Sequence, residues 1–170
     1  MKDARKMIYT AIGAALITVC SLITVPGTIP WTMQTYGVFT AAGLLGAKRG
    51  VLAVSVYILL GIIGLPVFSY KAGIGVLAGP TGGYIIGFLF SALVIGFFSK
   101  GKLYKLILGE ILGLLVCYAF GSAWFMIYSG KTAAEVFAAA VMPFLGFDAI
   151  KIALSVFTVT RLKKVKSLNL

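Results

Sequence analysis

In the segment MPFLGFDAIK, residues 142–151, Asp148 and Lys151 stand three positions apart within one of the most apolar stretches of the chain. Residues at that spacing share one face of a helix. In a bilayer each would cost about 2.5–3.5 kcal/mol at a helix centre and less toward its ends, so ionisable residues at membrane depth usually mark a site. The plainer reading is a mutual salt bridge, with Asp148 also capping the start of a helix. The two readings are compatible, because a pair closed when empty can open to a polar ligand. A carboxylate accepts and an ammonium donates. Together they suit a compact ligand presenting N–H and C=O side by side, of which a cyclic urea is one.

Other polar features are sparse. Gln34 and Tyr84 fall near the outer ends of apolar segments and could add contacts, although alone each reads as an interface residue. The stretch 72–84, AGIGVLAGPTGGY, is too rich in glycine for a lipid-facing helix. Irregular backbone survives at membrane depth only when buried in protein or lining a cavity. The backbone around Gly73 and Gly75 is therefore expected to cover the site, unless the stretch is simply a flexible outer loop. Ala11 and Ala15 form a small-xxx-small pattern that lets another helix approach closely, within this chain or from a partner. Glu110 reads as an acid snorkelling toward Lys105, and Tyr118, Trp124 and Tyr128 as aromatic-belt residues.

Several chemistries are excluded by composition. Histidine is absent, and Cys20 and Cys117 lie far apart in apolar runs, so no zinc site or histidine-based catalysis is expected. Paired carboxylates and an activated Ser or Cys are also missing, and no catalytic residue is assigned. Residues 96–102 mimic a phosphate loop, GxxxxGK, but Leu103 replaces the Mg²⁺-binding hydroxyl and an apolar span precedes it. Gly73-x-Gly75-x-x-Ala78 likewise lacks the strand–turn–helix context of a dinucleotide site. The chain itself is not expected to use ATP or to hold a metal or a covalent cofactor.

These residues must be positioned by membrane helices. The chain has 170 residues, 61% hydrophobic and 11% charged, with a mean hydropathy of +1.07, far from the balance of a soluble domain. Apolar segments at 7–25, 31–47, 50–65, 82–99, 103–128 and 144–161 are bounded by charge, proline or glycine, which predicts six transmembrane helices. The first is read as a retained span rather than a cleaved signal, since no A-x-A-like site follows it. Pro30 is expected at the first helical position of the second span, with Trp31 at the interface. Thr132-x-x-Glu135 has the form of a capping box and predicts a short outer helix, interrupted by Pro143 and Gly146 before the last span starts near Asp148.

The net charge of +11 has no nucleic-acid signature, because no basic stripe interleaved with aromatics accompanies it. It follows the positive-inside rule instead. Lys2, Arg5 and Lys6, then Lys48 and Arg49, then Lys100, Lys102 and Lys105, then Arg161, Lys163, Lys164 and Lys166 all fall on one side of a six-span path. Lys71 and Lys131 fall opposite, and Lys151 at depth. The expected architecture is all-α: a single integral membrane substrate-binding domain over 1–170, with both termini cytoplasmic and a Gly-rich outer loop between helices 3 and 4.

Five segments, VPGTIPWTMQT, GLLGAKRG, LLGIIGLPVFS, GPTGGYIIGF and MPFLGFDAIK, together resemble the BioY-type biotin transporters, the biotin-specific S components of energy-coupling-factor transporters. The resemblance implies a plasma-membrane subunit that captures biotin from outside, with Asp148 and Lys151 as its charged ligand-binding pair. It further implies a transmembrane coupling protein docking on Ala11 and Ala15, and two cytoplasmic ATPases that alone use ATP. An S component for another vitamin, or a self-sufficient biotin carrier, are the alternatives. Because Asp148 and Lys151 are close together and biotin is elongated, both are expected to read the ureido head. The valerate carboxylate would then lie toward the backbone N–H groups of the Gly-rich loop.

Overall fold

The computed structural model describes residues 2–165; Lys166, placed above with the cytoplasmic basic residues, lies outside them. Helix α1 spans Lys2–Leu22, and two short strands follow, β1 Thr24–Val25 and β2 Trp31–Thr32. They pair antiparallel in the register Thr24↔Thr32, Val25↔Trp31. This hairpin corrects the expectation that Pro30 opens a helix. Pro26-Gly27 and Pro30 punctuate the segment as turn residues, Met33 N–H donates to Ile23 O at 3.0 Å to extend the pairing, and the next helix begins only at Gln34.

Helix α2, Gln34–Ile62, contains one residue that no helix tolerates: Gly46, at φ 78° and ψ 176°. That region of backbone space is open essentially to glycine alone. The chain reverses there. Gln34 Nε2 lies 2.7 Å from Tyr57 Oη, whereas 23 residues of straight helix would separate them by about 34 Å. Residues 34–45 and 47–62 are thus two antiparallel helices joined at the Gly46 turn, two positions before the expected break at Lys48 and Arg49, which lie in the first turn of the second helix. After Ile62, Phe68 and Lys71 form a bridge around Ser69 and Tyr70, both at positive φ (51° and 67°), a tight primed turn. The Gly-rich stretch is therefore partly ordered, and it includes the short helix α3, Gly75–Ala78.

Helices α4 (Gly82–Phe98) and α5 (Leu103–Ser129) pack on each other, and α4 also packs on α2. Helix α6, Ala133–Ala140, opens with the predicted capping box: Thr132 N–H donates to Glu135 Oε2 at 2.8 Å, and Glu135 N–H returns to Thr132 Oγ1. A 3₁₀ turn at Met142–Phe144 with Pro143 inside it then reorients the chain into α7, Leu145–Lys164. The last helix starts slightly earlier than expected, with Gly146 inside it and Asp148 in its first turn rather than at its cap.

Helical runs 4–22, 34–62, 103–129 and 133–164 are long and apolar enough to cross a membrane, and Gly82–Phe98 is a shorter apolar helix. Their outward faces are apolar: Phe97 is 71% exposed and Ile127 80%. Exposed apolar surface on this scale needs a covering medium, and the chain is a multi-pass membrane protein.

Candidate functional site

A cavity of about 900 Å³ opens at one end of the bundle, walled by the 24–32 hairpin, the start of α2, the 68–81 stretch, the first turns of α4 and α7 and the middle of α5. The basic turns gather at the other end, where Lys163 Nζ donates to Ser99 O at 2.5 Å.

Asp148 and Lys151 line this cavity, 2% and 6% exposed. On successive turns of α7 their heads meet, Lys151 Nζ donating to Asp148 Oδ1 at 2.8 Å. Asp148 has two further donors: Thr35 Oγ1 to Oδ1 at 3.0 Å from α2, and Tyr118 Oη to Oδ2 at 2.5 Å from α5. Three helices thus converge on one carboxylate, whose charge is compensated by an ion pair and two hydroxyls. Lys151 differs. An ammonium carries three N–H donors, and among the described residues Asp148 is the one acceptor it has. Donor capacity at the floor of the cavity therefore belongs to Lys151.

Gln34 and Tyr84 also line the cavity, with the Gln34 Nε2 and the Tyr84 hydroxyl engaged. Gln34 donates to Tyr57 Oη, Tyr57 in turn donates to Val67 O at 3.0 Å, and Ser21 Oγ donates to the same carbonyl. This chain anchors the start of the Gly-rich stretch to α1 and α2. Tyr84 Oη donates to Ala140 O at 2.9 Å, tying α4 to the end of α6. Its ring packs against Gly121, where a Cβ would come within 2.3 Å of it. Gly75 lines the cavity and Gly73 does not. The N–H of Gly73, at φ 88°, donates to Gly61 O at 2.8 Å and so is not available to a ligand.

Ala11 and Ala15 are exposed, while Gly13 and Ala14 between them are buried. The outward face of α1 is therefore the one that carries the small pair.

Three readings of single residues change. Tyr118 is not a belt residue: it is buried and hydrogen-bonded to Asp148. Trp124 donates from Nε1 to Gly79 O at 2.8 Å, holding the Gly-rich stretch over the cavity. Glu110 does not snorkel to Lys105; it is 0% exposed and accepts from Ser155 Oγ at 2.8 Å. Thr35 was not anticipated at all. Tyr118 and Glu110 lie eight positions apart on α5, so a helical period of 3.6 places both near the face toward α7. That spacing was the available signal.

The sequence model of the BioY family matches residues 1–167. The biotin transporter BioY of Thermotoga maritima is 40% identical over 168 residues, covering 95% of this chain and 98% of that protein. A probable biotin transporter BioY of Pyrococcus horikoshii is 36% identical over 162 residues, covering 94% and 97%. The crystal structure of the S-component for biotin from an ECF-type ABC transporter superposes with a TM-score of 0.88 at 30% identity, over 96% of this chain and 93% of that one.

Proposed function

The chain belongs to the BioY family, and from that premise we infer that it is the membrane-embedded biotin-binding and uptake subunit of an energy-coupling-factor transporter. The observation that carries the reading is the buried Asp148–Lys151 pair at the floor of a cavity large enough for a small vitamin. As the reading has it, the chain crosses the cell membrane six times, with 34–45 and 47–62 counted separately, both termini inside and the cavity facing out. The clustering of basic turns at the end opposite the cavity supports that orientation.

In this reading the ureido head of biotin lies on the floor, its carbonyl accepting from Lys151 Nζ and its N–H groups donating to Asp148. Tyr118 and Thr35 hold Asp148 in place, so the acceptor is preorganised before ligand arrives. The valerate tail runs toward Gly75 and the mouth, where Lys71 also lines the cavity. Gly73 takes no direct part. Biotin is bound and released unchanged, and ATP is used by two partner ATPases, coupled through a transmembrane protein that seats on Ala11 and Ala15.

The test is equilibrium binding of biotin and of biotin amide to the purified full chain in detergent, for wild type, Asp148→Asn and Lys151→Ala. Equal losses for both ligands in Lys151→Ala would support the head-group assignment. A loss confined to the free acid would move Lys151 onto the carboxylate, and no biotin binding by folded wild type would refute the function.

A further inference from the structure

Deeper in the bundle, on the side of the cavity floor away from the mouth, a second polar cluster serves no role in the binding site. Glu110 projects from α5 into the contact with α7 and α2. One of its oxygens, Oε1, lies 2.8 Å from Ser155 Oγ, and Ser155 Oγ lies 3.3 Å from Thr40 Oγ1 on α2, contacts that a carboxylate accepts from the hydroxyls and that a protonated carboxyl runs in the reverse direction. The other oxygen, Oε2, is buried and has no partner among the described residues. Ser91 Oγ on α4, packed against α5 at Gly113, is buried and unpartnered as well.

The titratable groups around Glu110 come from few elements. On α7, Lys163 is near enough to interact electrostatically but not to pair, its Nζ being engaged by Ser99 O. Lys151, Asp148 and Tyr118 lie toward the cavity and are engaged with one another. Helices α2 and α4 contribute the hydroxyls Thr40 and Ser91. A carboxylate in this position would be a buried charge with no ion-pair partner among the described residues and with one oxygen unsatisfied, an arrangement that strongly disfavours ionisation. A protonated carboxyl removes the charge and needs one acceptor, which Ser155 Oγ supplies.

We propose that Glu110, with Ser155 and Thr40, is a proton-binding site in the core of the bundle, occupied in the resting protein. The proton resides on Oε1 and is donated to Ser155 Oγ, and Ser155 donates its own hydrogen to Thr40. When the proton leaves toward the basic end, both hydroxyls rotate, so that Thr40 donates to Ser155 and Ser155 to the carboxylate. The freed charge then has Lys163 as the cation to turn to. Helices α2, α5 and α7 also carry Thr35, Tyr118 and Lys151, so the proton occupies the seam below the ligand site.

The chain makes this testable because it has only 4 acidic side chains, Asp3, Glu110, Glu135 and Asp148. Infrared spectroscopy of the full chain at pH 7, in a maltoside detergent free of ester carbonyls, should show a protonated-carboxyl C=O band. Glu110→Gln should abolish that band, Asp148→Asn should leave it, and Ser155→Ala should shift it through loss of the hydrogen bond. Should Glu110→Gln fail to fold, the Ser155→Ala shift decides alone. A wild-type spectrum lacking the band at pH 7, with or without sodium, or a band that survives Glu110→Gln, overturns the proposal. The readout does not involve biotin, so it stands or falls apart from the transport reading.

Discussion

Asp148 and Glu110 face the interior from helices that touch, and both are almost inaccessible, at 2% and 0% exposure. Asp148 has a cation at 2.8 Å and hydroxyls on both oxygens. Glu110 has one hydroxyl, no ion pair among the described residues and an orphaned oxygen. The difference follows from place. Asp148 borders an open cavity, where its charge has an ion-pair partner beside it. Glu110 is surrounded by packed helices, where a charge has no ion-pair partner among the described residues. The same residue class thus serves as a fixed acceptor in one layer and as a neutral, titratable group in the next.

The sharpest way to break the contrast is Lys151→Ala, which would leave Asp148 a buried acid without an ion-pair partner, the situation of Glu110. Removing one partner of a buried pair costs about 3–5 kcal/mol, so thermal unfolding should drop well below wild type. Biotin affinity should fall by at least two orders of magnitude, on the order of 3 kcal/mol. Adding Asp148→Asn to that variant should restore much of the stability and none of the binding. A smaller step is Tyr118→Phe, which orphans one oxygen of Asp148. A hydrogen bond to a charged group is worth about 1.5–3 kcal/mol, and equilibrium binding should weaken accordingly while the fold persists.

Ser155→Ala sharpens the comparison from the other side. For a neutral Glu110 the loss is that of an ordinary hydrogen bond, about 1 kcal/mol, and thermal unfolding should show it smaller than the Tyr118→Phe effect. An equal or larger loss would mean that Glu110 carries charge. Glu135 is the exposed control. Hydrogen bonds from Thr132 N–H and Oγ1 hold its carboxyl below the usual glutamate range. The cap is therefore fully made above the ordinary value of about 4.3 and is lost as pH falls through the lowered one. Amide-exchange protection at the start of α6 should fall under acid, and Thr132→Ala should reproduce the loss at neutral pH with little effect on the rest of the chain.

Much of this was legible in residue order. The Asp148–Lys151 spacing, a break near Lys48 and Arg49 and the capping box at Thr132 are local, and local geometry follows from local residues. What was misread involves partners far along the chain. Tyr118 reaches Asp148 across 30 positions and Thr35 reaches it across 113. An apolar helix of nearly uniform composition does not announce which face turns inward. The hairpin at 24–32 was missed because strands of two residues are too short for an alternation to register.

By itself, then, the sequence determined the solvent, the apolar helical segments and the charged pair, because apolar length and i,i+3 spacing act along a single chain. Only the tertiary structure decided which hydroxyls complete Asp148, that Gly73 turns its N–H inward to Gly61, and that Glu110 has no ion-pair partner among the described residues. Those outcomes depend on how four helices rotate against one another. Rotation is set by close packing of side chains from all of them at once.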